Sequence, residues 1–167
     1  CYSESHHSNI SNPLAEALRG SRVARMCLAA MVCCGFVPMI RAGQEIDNRE
    51  HLARLLHARA RSATLRRGSV ELGGVRCDDP ATLLVLRRQE GSYVVGVINT
   101  GPSRRRVTVE LAVKGLGGGV YFVVCLLQIG PGADEAGIVW RRADLAAFSV
   151  MLAPFGACLL APRRVET

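Results

Sequence analysis

The sequence predicts an α+β chain in two parts, a helix–strand–helix stretch followed by an antiparallel β-sandwich. Two observations carry this prediction. Apolar residues recur at three-and-four spacing from Val23 to Cys34, which lines one face of a helix. Beyond about Gly68 the pattern becomes short β-branched and aliphatic runs separated by Gly, Pro and Asp, the punctuation of an antiparallel sandwich.

In chain order, the first helix carries Val23, Met26, Cys27, Ala30, Met31 and Cys34 on one face, and Gly35 with Pro38 stops it. Val37 to Ile40 reads as a short buried strand. Asp47 or Asn48 is placed to cap a second helix whose inner face carries Leu52, Leu55 and Leu56. Helix, strand, helix implies parallel strands with helices packed outside, as in a doubly wound sheet or a (β/α) barrel. Strands are then expected at Leu83 to Leu86, Tyr93 to Ile98, Val107 to Leu111, Val120 to Leu127 and Val150 to Leu160, with turns between them such as Cys77-Asp78-Asp79-Pro80 and Gly130-Pro131-Gly132.

Composition narrows the classes of function. An apolar fraction of 49% over 167 residues excludes a disordered chain, because enough apolar surface is available to offset the entropy lost on folding. The most apolar run, Met26 to Ile40, is interrupted by Gly35 and Pro38 and falls short of the roughly 20 residues of a membrane helix, so no membrane partner is expected. The chain opens on Cys1 without the regions of a signal peptide, and its natural start is expected upstream. A formal charge of +7 raises the question of nucleic acid. The basic residues are nearly all Arg, Lys114 being the only Lys, and they are scattered without interleaved aromatics, so nucleic acid is not expected as a partner. Seven cysteines without Cys-x-x-Cys or Cys/His ligand spacing read as buried free thiols, which favours a reducing, cytoplasmic compartment; no metal and no cofactor are expected.

Several short phrases, in order, resemble the α-amylase-type glycoside hydrolases. Gly35-Phe36-Val37-Pro38-Met39-Ile40-Arg41-Ala42-Gly43-Gln44-Glu45 is similar to the segment carrying the eighth barrel strand of those enzymes. Leu52 to Arg59 followed by Leu65-Arg66-Arg67-Gly68 resembles their last barrel helix and its passage into a terminal β domain. Asp78-Asp79-Pro80, Leu84 to Arg88, Tyr93 to Asn99 and Leu152-Ala153-Pro154-Phe155-Gly156-Ala157 resemble the early and closing strands of that domain. The resemblance implies the last β/α units of a (β/α)8 TIM barrel over residues 1–62 and a β-sandwich domain over 63–167, the carboxyl-terminal part of a larger enzyme.

The same resemblance implies a substrate, an α-glucan or α-glucoside, bound through a complete barrel whose upstream portion is missing from this chain. Retaining glycosidases need a nucleophilic carboxylate and a second carboxyl group as acid. In the resembled family both precede the part this chain covers. Glu4-Ser5-His6-His7 resembles the family's last active-site phrase, in which a His and an Asp grip sugar hydroxyls. His6 matches the histidine and His7 stands at the position of the transition-state-stabilising Asp, so His6 and His7 are the expected substrate-binding residues and His7 the expected catalytic position. A register shifted by one would put His7 on the His and Ser8 on the Asp. An imidazole supplies no fixed negative charge, so this departure weakens stabilisation of an oxocarbenium ion. Without the resemblance, His6 and His7 read as polar loop residues. Gln44 and Glu45 are read as organising the loop after the eighth strand, His51 and His57 as packing or surface residues, and Trp140 and Tyr121 as sandwich core.

Overall fold

The computed structural model of the chain describes residues 22–40, 46, 48–71, 73–112, 121–129, 140–143 and 147–164. Among the described residues two helices come first, α1 (Arg22–Cys33) and α2 (Arg49–Arg61), then a single short turn of helix, α3 (Ala63–Arg67). Nine strands follow: β1 (Ser69–Glu71), β2 (Val75–Cys77), β3 (Thr82–Gln89), β4 (Ser92–Asn99), β5 (Arg105–Leu111), β6 (Tyr121–Ile129), β7 (Trp140–Ala143), β8 (Ala147–Leu152) and β9 (Ala157–Arg164). They form a six-stranded sheet in the order β1-β3-β4-β9-β6-β7 and a three-stranded sheet in the order β2-β5-β8, with every pairing antiparallel.

Strand alternation sorts the apolar residues into two cores. Tyr93, Val95 and Val97 of β4 and Cys158 and Leu160 of β9 face the small sheet, where Val107 and Val109 of β5 and Phe148, Val150 and Leu152 of β8 meet them. Val94, Ile98, Ala157 and Leu159 point the other way, against Leu28, Val32 and Cys33 of α1, Leu52 and Leu55 of α2 and Leu65 of α3. Both faces of the large sheet are thus covered, which is why β4 is buried from Tyr93 to Asn99. A register shift between Cys125 and Leu127 turns β6 over, so that Val123 joins the first core and Leu127 the second. At Gly96 an added Cβ would stand 2.7 Å from Cys33 Sγ, so glycine there lets α1 lie directly on β4.

Two polar devices hold the layers. Arg87 on β3 is 3% exposed and donates from Nη1 to Cys33 O (3.5 Å) and from Nη2 to Leu65 O (3.3 Å), tying the carboxyl ends of α1 and α3 to the sheet. Beneath the other core, the Asp79 carboxylate accepts from Ala81 N (3.1 Å), Thr82 Oγ1 (3.0 Å) and Arg105 Nη1 (2.9 Å). Desolvation would raise the pKa of this group, but the three donors outweigh it and hold the carboxyl below its ordinary range.

The expected helix from Val23 to Cys34 and its Gly35 stop are both present. Gly35 has φ of 87°, Gly35 N bonds Val32 O (3.1 Å) and Phe36 N bonds Met31 O (3.0 Å), the Schellman arrangement. The strand expected at Val37 to Ile40 is not formed: the segment is irregular, with Val37 68% and Met39 62% exposed. A buried parallel strand needs a partner on each side, and among the described residues every strand pairs antiparallel in one of the two sheets. The last barrel units are therefore not seen as such, and α1 and α2 pack on the six-stranded sheet. Leu56, expected on the inner face of α2, is 38% exposed, and its place is taken by Ala58. Ala63 to Arg67, expected within the sandwich, is helical, with Ser62 Oγ accepting from Leu65 N (3.2 Å) at its start.

Candidate functional site

A concavity among the described residues lies where the amino ends of α1 and α2 approach the end of β6 and the β8–β9 turn. It encloses about 570 Å³. Arg22 and Arg25 come from α1, Arg49, Glu50, His51 and Arg54 from the first turns of α2, and Leu127, Ile129, Pro154 and Phe155 form an apolar wall. Phe155 holds its place in the turn with φ of 51°. Among the described lining residues, four guanidinium groups against one carboxylate make the cleft electropositive.

Asn48 stands at the base of this cleft, 2% exposed. It precedes α2, where a capping side chain was expected, yet its side chain makes no capping hydrogen bond. Its Oδ1 instead accepts from Arg25 Nε (3.2 Å), and its Nδ2 is buried without a partner. Arg54 Nη2 donates to Gln128 O (3.4 Å), fixing α2 to β6. His51 Nε2 is also buried without a partner.

Burial, joined by the positive charges of Arg25 and Arg54 and opposed by a backbone hydrogen bond at Arg25, pushes the His51 imidazole down to about 4 from an ordinary 6.5. The folded protein thus resists a proton that the unfolded chain accepts. Between pH of about 6.5 and about 4 the unfolded state binds more protons, so stability falls as pH is lowered through that window. Urea midpoints of the wild type and His51→Gln, measured from neutral pH downward, should converge toward acid as the wild type loses this contribution. Parallel curves would show that His51 titrates normally.

The expected sugar-binding residues His6 and His7, with Glu4, Ser5 and Ser8, lie outside the described residues, as do Gln44, Glu45 and Asp47. His57 sits on α2 beside Arg61, with Nε2 3.4 Å from Arg61 Nη1, and no group of metal-ligating side chains occurs among the described residues. Tyr121 and Trp140 fall on β6 and β7, and their side chains are outside the described part. All six described cysteines are free thiols. Cys125 Sγ and Cys158 Sγ are 3.5 Å apart, and the hydrogen bond between them, with burial, pushes Cys158 up. The cleft was missed by sequence reasoning, which saw arginines about 30 positions apart as scattered; the fold gathers four of them.

Over 92% of its length the chain superposes on 36% of the Geobacillus thermoleovorans α-amylase solved with acarbose, at a TM-score of 0.67 and 14% identity. The fold is shared with part of an α-amylase. A maltogenic α-amylase from Thermotoga neapolitana matches 99% of this chain with 41% of its own, at a TM-score of 0.62 and 14% identity. An Anoxybacillus α-amylase matches 86% with 32%, at 0.60 and 21%. The chain therefore spans about a third of the length of the α-amylases it matches. Two antiparallel sheets with few helices match the terminal β domains of amylases. No protein-family model and no curated protein matches the sequence.

Proposed function

We propose that the chain is the carboxyl-terminal part of a retaining glycoside hydrolase or transglycosylase of the α-amylase type, acting on α-glucans or α-glucosides. Residues 1–62 would close the catalytic barrel and 63–167 form the terminal β-sandwich domain. The observation that carries this reading is the α-amylase fold match over 86–99% of the chain, which agrees with family-like phrases found in the family's order. In this reading His6 grips sugar hydroxyls and His7 takes the place of the stabilising Asp. The nucleophile and acid belong to the upstream barrel.

It follows that the chain by itself does not hydrolyse starch, maltodextrin or aryl α-glucosides, because neither carboxyl group of the retaining mechanism is within it. Turnover by the purified chain that persists through further purification would overturn the assignment. In the complete protein, with both upstream carboxylates present, His7→Asp should raise the rate on a chromogenic α-glucoside by about 10²-fold, the scale of a comparable electrostatic deletion. If Ser8 occupies the Asp position, Ser8→Asp is the restoring change and His7→Asp removes a sugar contact.

A second reading, a non-catalytic carbohydrate- or partner-binding member of the same fold, is favoured by the His7 departure itself. It is distinguished by the upstream reading frame. An Asp and a Glu on consecutive barrel-strand ends support the enzyme, and their absence supports the binding protein.

A further inference from the structure

We infer that the basic cleft between α1, α2 and the β8–β9 turn binds a small organic phosphate, its dianionic group held by Arg22, Arg25 and Arg49 together with Asn48 Nδ2 and the first turn of α2. This assignment does not draw on the proposed glycosidase reading, whose expected sugar-binding residues, His6 and His7, are not among the groups named here.

The cleft presents donors to which it supplies few acceptors. Among its described lining residues, Glu50 is the one carboxylate facing four guanidinium groups, and the described ion pairs, Arg88 with Glu71 and Arg105 with Asp79, involve none of the four. Arginines gathered in a concavity repel one another unless an anion lies among them, and their planar donors match a phosphate bidentately. Asn48 makes the independent case. Its amide nitrogen is buried with no acceptor, a state that costs stability unless a ligand oxygen fills it.

Backbone geometry adds to the same field. The α2 helix is 13 residues long and begins without a side-chain cap, so its leading N–H groups carry partial positive charge toward the cleft. The basicity of His51 is depressed chiefly by burial, with the charges of Arg25 and Arg54 adding to it. A space of about 570 Å³ exceeds what an inorganic phosphate occupies, and Leu127, Ile129, Pro154 and Phe155 offer a wall for an organic moiety.

The test is titration of the full chain with glucose 6-phosphate, inorganic phosphate, succinate and glucose at about 150 mM salt, where diffuse attraction is largely screened. Calorimetry reads affinity and amide NMR reads location. Saturable binding of glucose 6-phosphate is expected, tighter than inorganic phosphate, with no binding of glucose and with shifts centred on Asn48 to His51 and on Phe155. Arg22→Gln combined with Arg49→Gln changes two exposed side chains and should weaken binding by about tenfold or more while leaving the circular dichroism unchanged. Asn48→Asp, which removes the buried donor, should do the same, and if it does not fold the arginine pair decides. Absence of saturable phosphate binding overturns the assignment, as does unchanged affinity in the folded double variant. Succinate binding as tightly as glucose 6-phosphate would make this a general carboxylate site and overturn the commitment to phosphate. Affinity that grows with the length of a polyanion would mark a diffuse basic surface and likewise overturn it.

Discussion

Asn99→Ala should lower the unfolding free energy by about 2 kcal/mol or more, because it takes the Asn99 side chain from Ser103 O and Gly101 N at roughly 1–3 kcal/mol each, less what entering water recovers, while Ala153 O keeps its bond from Gly156 N. Asn99 ends β4 and is fully buried. Its Nδ2 donates to Ser103 O (2.7 Å) and Ala153 O (2.8 Å), and its Oδ1 accepts from Gly101 N (2.9 Å). One side chain therefore fixes the β4–β5 turn and joins it to the β8–β9 turn. Asn99→Asp, nearly the same size, should be no better tolerated, since it replaces the two donated bonds with a carboxylate facing two carbonyl oxygens. Urea unfolding with both variants reads the effect, and a loss below about 1 kcal/mol for Asn99→Ala would mean that the turns hold themselves.

The second large effect is expected at Gly35→Ala. A φ of 87° costs a residue with a Cβ about 1–2 kcal/mol. The added Cβ would also overlap Arg87 Nη1, so the guanidinium must leave the Cys33 and Leu65 carbonyls that it serves in a buried site. The sum should reach about 3 kcal/mol or more, because displacing a buried charge from its partners is among the costliest changes a core suffers. A cycle with Arg87→Met separates the two contributions: in that background Gly35→Ala should cost only the backbone part. Equal costs in both backgrounds would show that the overlap is relieved without moving Arg87.

Much of the architecture was legible because it rests on periodicity. The α1 face, the Gly35 stop and β3 to β6 follow from alternation and spacing that tertiary context did not override. What was illegible has local reasons. β1 and β2 are three residues each, too short to alternate, and β7 carries two arginines in four positions. The run from Val150 to Leu160 was read as one strand because Ala153 and Phe155 are apolar, whereas Pro154, Gly156 and the positive φ of Phe155 make it a turn between β8 and β9. Val37 to Ile40 has a strand's composition and lacks pairing strands. Asn48 illustrates the limit for the site: its position before a helix was readable, but that its side chain would turn to Arg25 and leave a buried donor without a partner depends on residues 23 positions apart.

The order of strands in the large sheet bears on how the molecule comes to be made. β9 lies between β4 and β6, pairing with both, although it is synthesised after all the other described strands. Until residue 164 has been translated, β1-β3-β4 and β6-β7 are two separate ribbons with open inner edges rich in Val, Leu and Ile. Closure requires joining segments about 60 positions apart, a slow step by the usual relation between chain separation and rate. A nascent chain stalled before Ala157 therefore exposes two sticky seams at once, and chaperone demand during expression should be governed by that interval rather than by the stability of the finished fold.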